Sequence, residues 1–455
     1  MKTIMTFTMM IWLLAFVAKA DQFPADFQWC VATSAHQIEG YNEHSDWWDW
    51  EHQPGRIHGG EVSGAATDHW NRLEQDSQLI KDLGVQMYRF SVEWAKIEPK
   101  EGQFDTEAIN HYKDEIRILK SKGITPMVTL HHFTHPKWFM DQGAWEDNLS
   151  PVKFRRFANF VYDQLGAEVD LFITFNEPTV FITVGWGAGL FPPGKQDLDL
   201  ANDVMINVLR AHALSYDSLR KKARVAGRKL QVGFAHHLRV FDPYVSWSPF
   251  DHGVAYVADK YFNQAFLNSL QTGRFRVALP GMTDRDVFIP GLRDSQDFLG
   301  LNYYTRDLLQ FDIFEEGMFR RHVNRDAKVT DVDWEVYPEG FSIVAEMLTS
   351  RFPQVPIYIT ENGIADATDR LRPRFLRGHL SEVLKMIDKG VPIKGYCYWS
   401  LMDNFEWIEG YGPRFGLYEV DYTTFQRRLR PSGEYFRSMV KANRLLPLPS
   451  ADSGY

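Results

Sequence analysis

The chain contains eight short apolar runs, with segments of helical periodicity between them. The runs cover residues 27–32, 87–90, 125–130, 171–175, 231–235, 297–303, 357–360 and 393–399 and are rich in residues typical of buried strands. Helical periodicity covers, for example, residues 68–83, 106–122, 151–165, 203–226, 339–351 and 373–389. A strand followed by a helix, repeated eight times, predicts a closed parallel (β/α)8 TIM barrel with long loops after the early and middle strands.

An open, doubly wound parallel sheet is the main alternative, because it is built from the same units. No Gly-x-Gly-x-x-Gly turn follows the first run and no Walker-type phosphate loop occurs, so the nucleotide-binding forms of that fold have no support. No Ser-rich or Pro-rich linker divides the chain. The sequence therefore predicts a single α/β barrel domain over residues 21–455.

The first twenty residues differ in character from the rest of the chain. Lys2 precedes an apolar stretch that is densest at residues 11–17, and Ala18-Lys19-Ala20 has the small-x-small pattern of a signal-peptidase site. A membrane anchor is the alternative, but it needs about 20 apolar residues and this run is shorter. We predict a signal peptide that is cleaved after Ala20, export to the periplasm or the medium, and no membrane association afterwards.

Charge, cysteine and histidine content exclude several classes of function. The chain has 50 Lys and Arg against 59 Asp and Glu, without a basic run, so no nucleic-acid partner is expected. Cys30 and Cys397 each lie in an apolar run, so we expect buried free thiols, with one bridge between them as the alternative. His131–His132 and His236–His237 are adjacent and lack the i, i+4 spacing of metal ligands, so neither metal nor cofactor is expected.

Polar residues follow all eight runs, where a barrel would place its active site. They are Ser34, His36, Gln37, Ser91, His131, His132, Asn176, Glu177, His236, His237, Asn302, Tyr303, Tyr304, Glu361, Asn362, Trp399 and Ser400. A buried strand end needs polar partners in any fold, which accounts for single cases. It does not account for all eight together.

Two of these residues are carboxylates: Glu177 follows the fourth run and Glu361 the seventh. Barrel closure would bring them to one cleft, which is the arrangement that glycoside hydrolysis requires. A separation of about 5 Å between the carboxyls retains the anomeric configuration and about 6.5–9.5 Å inverts it, and sequence spacing does not decide between them. Ion pairs with arginines such as Arg89 are the structural alternative.

Motifs throughout the chain resemble those of one known family. Thr-Phe-Asn-Glu-Pro at residues 174–178 and Ile-Thr-Glu-Asn-Gly at residues 359–363 resemble the acid/base and nucleophile motifs of glycoside hydrolase family 1, the retaining β-glucosidase family. Further matching motifs occupy residues 27–40, 88–94, 129–132, 297–304, 334–340, 398–407 and 414–416, in the family's order. Agreement of this extent argues against the ion-pair alternative for the two glutamates.

The resemblance implies a retaining mechanism in which Glu361 is the nucleophile and Glu177 the acid/base. It also implies that Arg89, Asn302 and Tyr304 support the nucleophile and that Asn176 binds the sugar 2-hydroxyl. The substrate-binding residues it implies are Gln37, His132, Asn176, Tyr304, Trp399, Glu406 and Trp407, with Trp399 as the stacking floor.

Other positions bear on specificity. By the same resemblance, Glu406 and Trp407 indicate a non-phosphorylated sugar, because a carboxylate there would repel a 6-phosphate. Thr179 stands where many family members have a tryptophan facing the aglycone. Trp186 and Trp334 are the remaining candidates for that wall, with plain packing as an equal alternative. His36 also departs from the family's usual tyrosine.

The sequence thus predicts an exported retaining exo-β-glycosidase, with β-glucosidase as the favoured specificity and a small β-glucoside or oligosaccharide as the substrate. Galactosides, fucosides and mannosides remain open, because these sugars differ by single hydroxyls. Transglycosylation uses the same residues and also stays open. A non-catalytic sugar-binding barrel is the rival from another class, but such barrels typically lose a catalytic carboxylate and both are present here.

Overall fold

Eight parallel strands form a closed barrel in the computed structural model, which describes residues 21–324 and 326–449. The strands are β1 Gln28–Ala32, β2 Met87–Ser91, β3 Thr125–Thr129, β4 Leu171–Asn176, β5 Gln231–His237, β6 Phe298–Asn302, β7 Ile357–Asn362 and β8 Ile393–Trp399. Each pairs with its neighbours in chain order, and β8 closes the barrel by pairing with β1. The predicted (β/α)8 barrel is confirmed, and each strand lies within two residues of its predicted bounds.

A helix follows each strand and packs outside the barrel, so the strands are buried on both faces. The helices are α1 Leu73–Leu83, α2 Thr106–Ser121, α3 Ser150–Leu165, α4 Leu198–Val225, α5 Ala265–Thr272, α6 Glu339–Arg351, α7 Arg372–Asp388 and α8 Pro431–Ala442. Helix Pro249–Ala258 leads into α5 through a π-helical turn at Asp259–Gln264. None of the described helices is both long and apolar enough to cross a bilayer.

Local capping explains where two helices differ from prediction. Helix α1 begins at Leu73 rather than at residue 68, because Asp68 has a left-handed backbone and a short 3-10 turn, His69–Asn71, precedes the helix. Helix α4 begins five residues earlier than predicted, because the Asp197 side chain accepts hydrogen bonds from the Asp199 and Leu200 backbone N–H groups.

Shorter elements decorate the barrel loops. The helical ones are Ala35–Ile38, Asp46–Glu51, His58–Gly60, Trp94–Ile97, Lys137–Asp141, Ala144–Glu146, Pro178–Ile182, Thr183–Gly187, Glu316–Met318 and Trp407–Glu409. Strands Val240–Pro243, Arg306–Phe311 and Phe319–His322 form a sheet, and Arg274–Val277 with Arg285–Phe288 and Tyr418–Asp421 with Gln426–Leu429 form two hairpins. The first of these sheets extends directly from β5 and β6, so it stands at the rim where those strands end.

A disulfide joins Cys30 and Cys397, which corrects the expectation of free thiols. Strands β1 and β8 pair in parallel with Cys30 directly opposite Cys397, and their Cα atoms are 4.1 Å apart. This register cannot be read from the sequence, because it depends on how the first and last strands meet when the barrel closes. The predicted signal peptide, residues 1–20, lies outside the described residues.

The disulfide closes a loop of 367 residues, so we expect it to stabilise the fold by restricting the unfolded chain. Replacing both Cys30 and Cys397 by alanine should lower the free energy of unfolding by about 2 to 5 kcal/mol. Urea unfolding of the oxidised wild type, the reduced wild type and the double variant measures the effect. Two thiols that react in urea without prior reduction would contradict the bridge.

Candidate active site

Glu177 lies directly after β4, at the end of the barrel where the carboxyl ends of the strands meet. Its backbone N–H donates to the Ala235 carbonyl of β5 at 2.7 Å, and its φ of +43° is left-handed. Non-glycine residues in that region carry backbone strain, which tends to occur at functional sites. Pro178 then begins a short helix, so the chain turns sharply at the carboxylate itself.

Glu361 lies within β7, and two donors hold its carboxylate. The Arg89 guanidinium lies 2.5 Å from Oε1, and the Tyr304 hydroxyl donates to Oε2 at 2.6 Å. Burial and the charge of Glu361 raise the pKa of Tyr304 well above its usual value, so this hydroxyl keeps its proton. A charged donor and a phenol on one carboxylate both stabilise its ionised form.

A chain of hydrogen bonds connects the two carboxylates. Arg89 Nη2 donates to Asn176 Oδ1 at 2.7 Å. Asn302 Nδ2 donates to the same oxygen at 3.0 Å and to Glu177 Oε1 at 2.7 Å. The Asn302 side chain therefore contacts the carboxylate of Glu177 rather than that of Glu361, although Asn302 pairs with Glu361 in the strand register. The structure brings both glutamates into one network that spans β2, β4, β6 and β7.

The two buried carboxyls interact, so their protonation is linked. Burial, opposed by Arg89 and reinforced by the charge of Glu177, raises the pKa of Glu361 to about 7. Burial also acts on Glu177, but the contacts with His237 and Asn302 hold the pKa of this carboxyl below its usual value. Since interacting groups titrate together, the proton belongs to the pair.

Glu406 and Gln37 meet on another side of the site. Gln37 Nε2 donates to Glu406 Oε2 at 3.2 Å and to the Phe405 carbonyl at 2.9 Å, and Ser34 donates to Gln37 Oε1 at 2.6 Å. Burial, with the charge of Glu361 adding to it, raises the pKa of Glu406 to about 8. Glu406 is therefore a third carboxyl of the site, and the negative charges of Glu361 and Glu177 add to the rise of its pKa.

Aromatic rings surround the polar groups. The His132 ring stacks near Trp399, with centroids 5.9 Å apart, and near Trp407 at 6.1 Å. Asn176 Nδ2 donates to His132 Nε2 at 3.0 Å, and burial, followed by the positive charge of Arg89, lowers the pKa of His132 well below its usual value. The imidazole is therefore neutral at physiological pH.

The two tryptophans predicted to face the aglycone differ in position. Trp186 is fully buried, and its indole N–H donates to Glu146 at 2.9 Å, which favours the packing alternative. Trp334 is half-buried and lies 5.3 Å from the Tyr304 ring, with the Arg239 guanidinium 5.6 Å from its own ring. Trp334 is thus near the nucleophile's support, as an aglycone-contacting residue would need to be.

One side chain beside the carboxylates was given no role by the sequence. His237, the last residue of β5, places its Nδ1 atom 3.3 Å from Glu177 Oε1. It was recognised only as one of the polar residues at strand ends. Glu93, which follows β2, accepts hydrogen bonds from Thr134 at 2.8 and 3.0 Å and caps a short helix. Glu93 therefore has a structural explanation.

The part of the chain that the structure describes contains no group of three or more His, Cys, Asp or Glu side chains placed to hold a metal ion.

Comparison with known proteins identifies the family. Residues 19–445 match the model of glycosyl hydrolase family 1. β-Glucosidase A of Thermotoga maritima is 33% identical over 447 residues, covering 93% of this chain and 99% of that enzyme. β-Galactosidase of Pyrococcus woesei is 29% identical over 504 residues, covering 92% and 97%.

Solved structures agree with this result. A β-glycosidase from Pyrococcus horikoshii superposes with a TM-score of 0.84 at 36% identity, covering 94% of this chain and 96% of that one. The T. maritima family 1 β-glucosidase has a TM-score of 0.87 at 32% identity, covering 94% and 100%, and has also been solved with castanospermine. The chain belongs to glycosyl hydrolase family 1 and is a retaining β-glycosidase that hydrolyses O-glycosyl bonds.

The raised pKa of Glu406 links the site to stability. The pKa of the Glu406 carboxyl is about 8 in the folded protein and 4.5 in the unfolded chain, so the folded state binds this proton more tightly. The free energy of unfolding therefore falls as the pH rises above 4.5. Glu406→Gln should therefore raise the free energy of unfolding by about 3 kcal/mol at pH 7 and leave it nearly unchanged at pH 4. Urea unfolding at both pH values measures this. An equal gain at both would contradict the proposed electrostatic cause.

Proposed function

We propose that this enzyme is an exported β-glucosidase that releases non-phosphorylated glucose from small β-glucosides, with Glu361 as the nucleophile and Glu177 as the acid/base. The asymmetry of the two carboxylates carries the assignment. Glu361 contacts the charged guanidinium of Arg89 and the Tyr304 hydroxyl, whereas Glu177 accepts from the neutral amide of Asn302. A nucleophile must be ionised, and the charged donor on Glu361 opposes the burial that raises the pKa of this carboxyl.

The first chemical step needs one charged and one protonated carboxyl, which is what a pair with a single shared proton provides. In the productive complex, the proton lies on Glu177. Glu361 attacks the anomeric carbon and forms a glycosyl ester, while Glu177 gives its proton to the oxygen that leaves. The Arg89 and Tyr304 contacts keep the Glu361 carboxylate oriented for this attack.

The second step exploits the loss of charge on Glu361. Once Glu361 is esterified, it no longer repels a charge on Glu177, so Glu177 is a carboxylate and removes a proton from water. Water then attacks the same carbon and releases Glu361. Asn176, whose Oδ1 already accepts from Arg89 and Asn302, is proposed to bind the sugar 2-hydroxyl, a contact that strengthens in the transition state.

We assign the sugar-binding role to the polar and aromatic groups around Glu406. Gln37, His132, Glu406 and Trp407 would bind the sugar hydroxyls, and Trp399 would stack on the ring face. The electrostatic environment supports a non-phosphorylated sugar, because Glu361, Glu177 and Glu406 act on one another's charge and a 6-phosphate would add further repulsion.

The relatives support both gluco and galacto specificity. The similar enzymes from T. maritima and P. woesei are named a β-glucosidase and a β-galactosidase. We propose glucose as the main substrate, with galactosides, fucosides and mannosides as alternatives that relative rates would rank. Transglycosylation onto sugars or alcohols is the alternative fate of the same ester.

Hydrolysis of aryl β-glucosides followed by proton NMR tests the assignment. The wild type should release the β-anomer first, as retention requires. Glu361→Gln should lower kcat by at least about 10⁴-fold, because it removes the covalent step. Glu177→Gln should lower kcat/KM by about 10² to 10⁴-fold for alkyl glucosides and much less for dinitrophenyl glucoside, whose leaving group needs no proton.

Glu93→Gln is a suitable control, because Glu93 is a buried carboxylate outside the network of Glu177 and Glu361. It should retain most of the activity. Initial release of the α-anomer, or equal losses for all leaving groups in Glu177→Gln, would argue against the assigned roles.

We also propose that the enzyme is exported, from the sequence of its first twenty residues. Expression of the full-length chain in a bacterial host with a Sec system should give a mature protein beginning at Asp21 outside the cytoplasm. Mass spectrometry of the intact product measures the cleavage. An uncleaved product in the cytoplasmic fraction contradicts export, and replacing Ala18 and Ala20 by bulky residues is the control for cleavage at this site.

A further inference from the structure

We propose that His237 is a positioning residue for Glu177. The Nδ1–H group of His237 donates to the Glu177 carboxylate, which makes Glu177 a stronger acid in the first step and keeps it oriented as the base in the second. The proposal rests on the proposed acid/base role of Glu177. His237 itself neither gains nor loses a proton in it: the proton that reaches the leaving oxygen comes from Glu177.

The position of His237 is fixed by the barrel. It is the last residue of β5 and pairs in register with Asn302 of β6, the other residue that contacts Glu177. Its ring lies between Phe262 and Tyr304, with both centroids 5.6 Å away, and only 5% of the residue is exposed. A side chain packed on both sides in this way has little freedom to move away from the carboxylate.

The tautomer follows from the surroundings of the two ring nitrogens. Nδ1 lies 3.3 Å from Glu177 Oε1, whereas Nε2 is buried and has no hydrogen-bond partner among the described residues. A proton on Nε2 would be a buried donor without an acceptor, which is costly, whereas a proton on Nδ1 faces a carboxylate. The proton therefore belongs on Nδ1, and His237 is a donor to Glu177.

Other titratable or charged groups also act on Glu177. They come from strands β2, β5 and β7, from the turn after β6 and from the loop after β8, and they are Arg89, His236, Glu361, Tyr304 and Glu406. Among them, Glu361 and Glu406 repel a charge on Glu177 and Arg89 attracts it. His237 differs from all of these, because it contacts the Glu177 carboxylate directly.

A test that needs no turnover is to titrate Glu177 in protein labelled with carbon-13 at glutamate Cδ, in a Glu361→Gln background that removes the coupled partner. The Glu177 signal is assigned by its loss in Glu177→Gln. His237→Leu should raise its titration midpoint by about one pH unit, because the carboxylate loses a donor. His237→Asn places an amide N–H near the position of Nδ1 and should restore most of the lower midpoint.

His236→Asn is the matched control. His236 is equally buried and adjacent in the same strand, but it stacks on Phe266 at 5.0 Å and its Nε2 lies 3.2 Å from the Asn263 carbonyl. This variant should move the Glu177 midpoint much less than His237→Leu does, because His236 does not contact the carboxylate. If leucine is not tolerated at position 237, His237→Ala gives the same comparison. An unchanged midpoint in His237→Leu, or in His237→Ala where leucine is not tolerated, overturns the proposal, whether or not the enzyme hydrolyses glucosides.

Kinetics with Glu361 intact provide the second readout. His237→Leu should lower kcat/KM about tenfold more for an alkyl β-glucoside than for dinitrophenyl β-glucoside, because only the alkyl leaving group needs the proton of Glu177. The alkaline limb of its pH profile should move to higher pH, and His237→Asn should reverse both changes. Equal losses for both leaving groups, with an unmoved limb, would indicate a merely structural role and overturn the proposal. Absence of turnover in the wild type would instead contradict the proposed function.

Discussion

The buried guanidinium of Arg89 organises the top of the barrel. It is fully buried on β2, and it donates to Thr129 of β3, Asn176 of β4, and the Thr360 carbonyl and Glu361 carboxylate of β7. A buried cation requires both an opposite charge and hydrogen-bond acceptors, and here the same acceptors are the groups around the reacting centre. The arrangement that keeps Arg89 satisfied therefore also fixes where Glu361 and Asn176 point.

Burial of several carboxyls near this cation gives the site its chemistry at a cost to stability. Burial removes the favourable hydration that an exposed carboxylate has. The pKa of Glu361 therefore rises to about 7 and that of Glu406 to about 8. The Cys30–Cys397 bridge between β1 and β8 and the packed aromatic rings act in the opposite direction. A stabilised barrel can thus hold three mutually repelling carboxyls in one cleft.

The sequence predicts the barrel well because each β strand is a run of apolar residues buried on both faces, which periodicity detects. It predicts Glu177 and Glu361 from their position at strand ends and from the family motifs. It fails where the answer depends on the register between neighbouring strands: the pairing of Cys30 with Cys397 follows from the register of β1 with β8. The same limit applies to His237, whose contact with Glu177 depends on how β5 lies against β4, and to Trp186, whose burial no local pattern reveals.

The contacts of Glu177 come from a different part of the barrel than those of Glu406, and this separation has a consequence for specificity. Arg89 of β2 and Tyr304 in the turn after β6 contact the Glu361 carboxylate. Gln37, which follows β1, contacts Glu406, which follows β8. Glu177 is held from β5 and β6, the two strands that continue into the sheet of Val240–Pro243, Arg306–Phe311 and Phe319–His322. Changes in that sheet can therefore alter the side of the cleft next to Glu177 without disturbing the contacts of Gln37 and Glu406. A barrel built this way can vary the group that leaves while keeping the proposed sugar-binding residues unchanged.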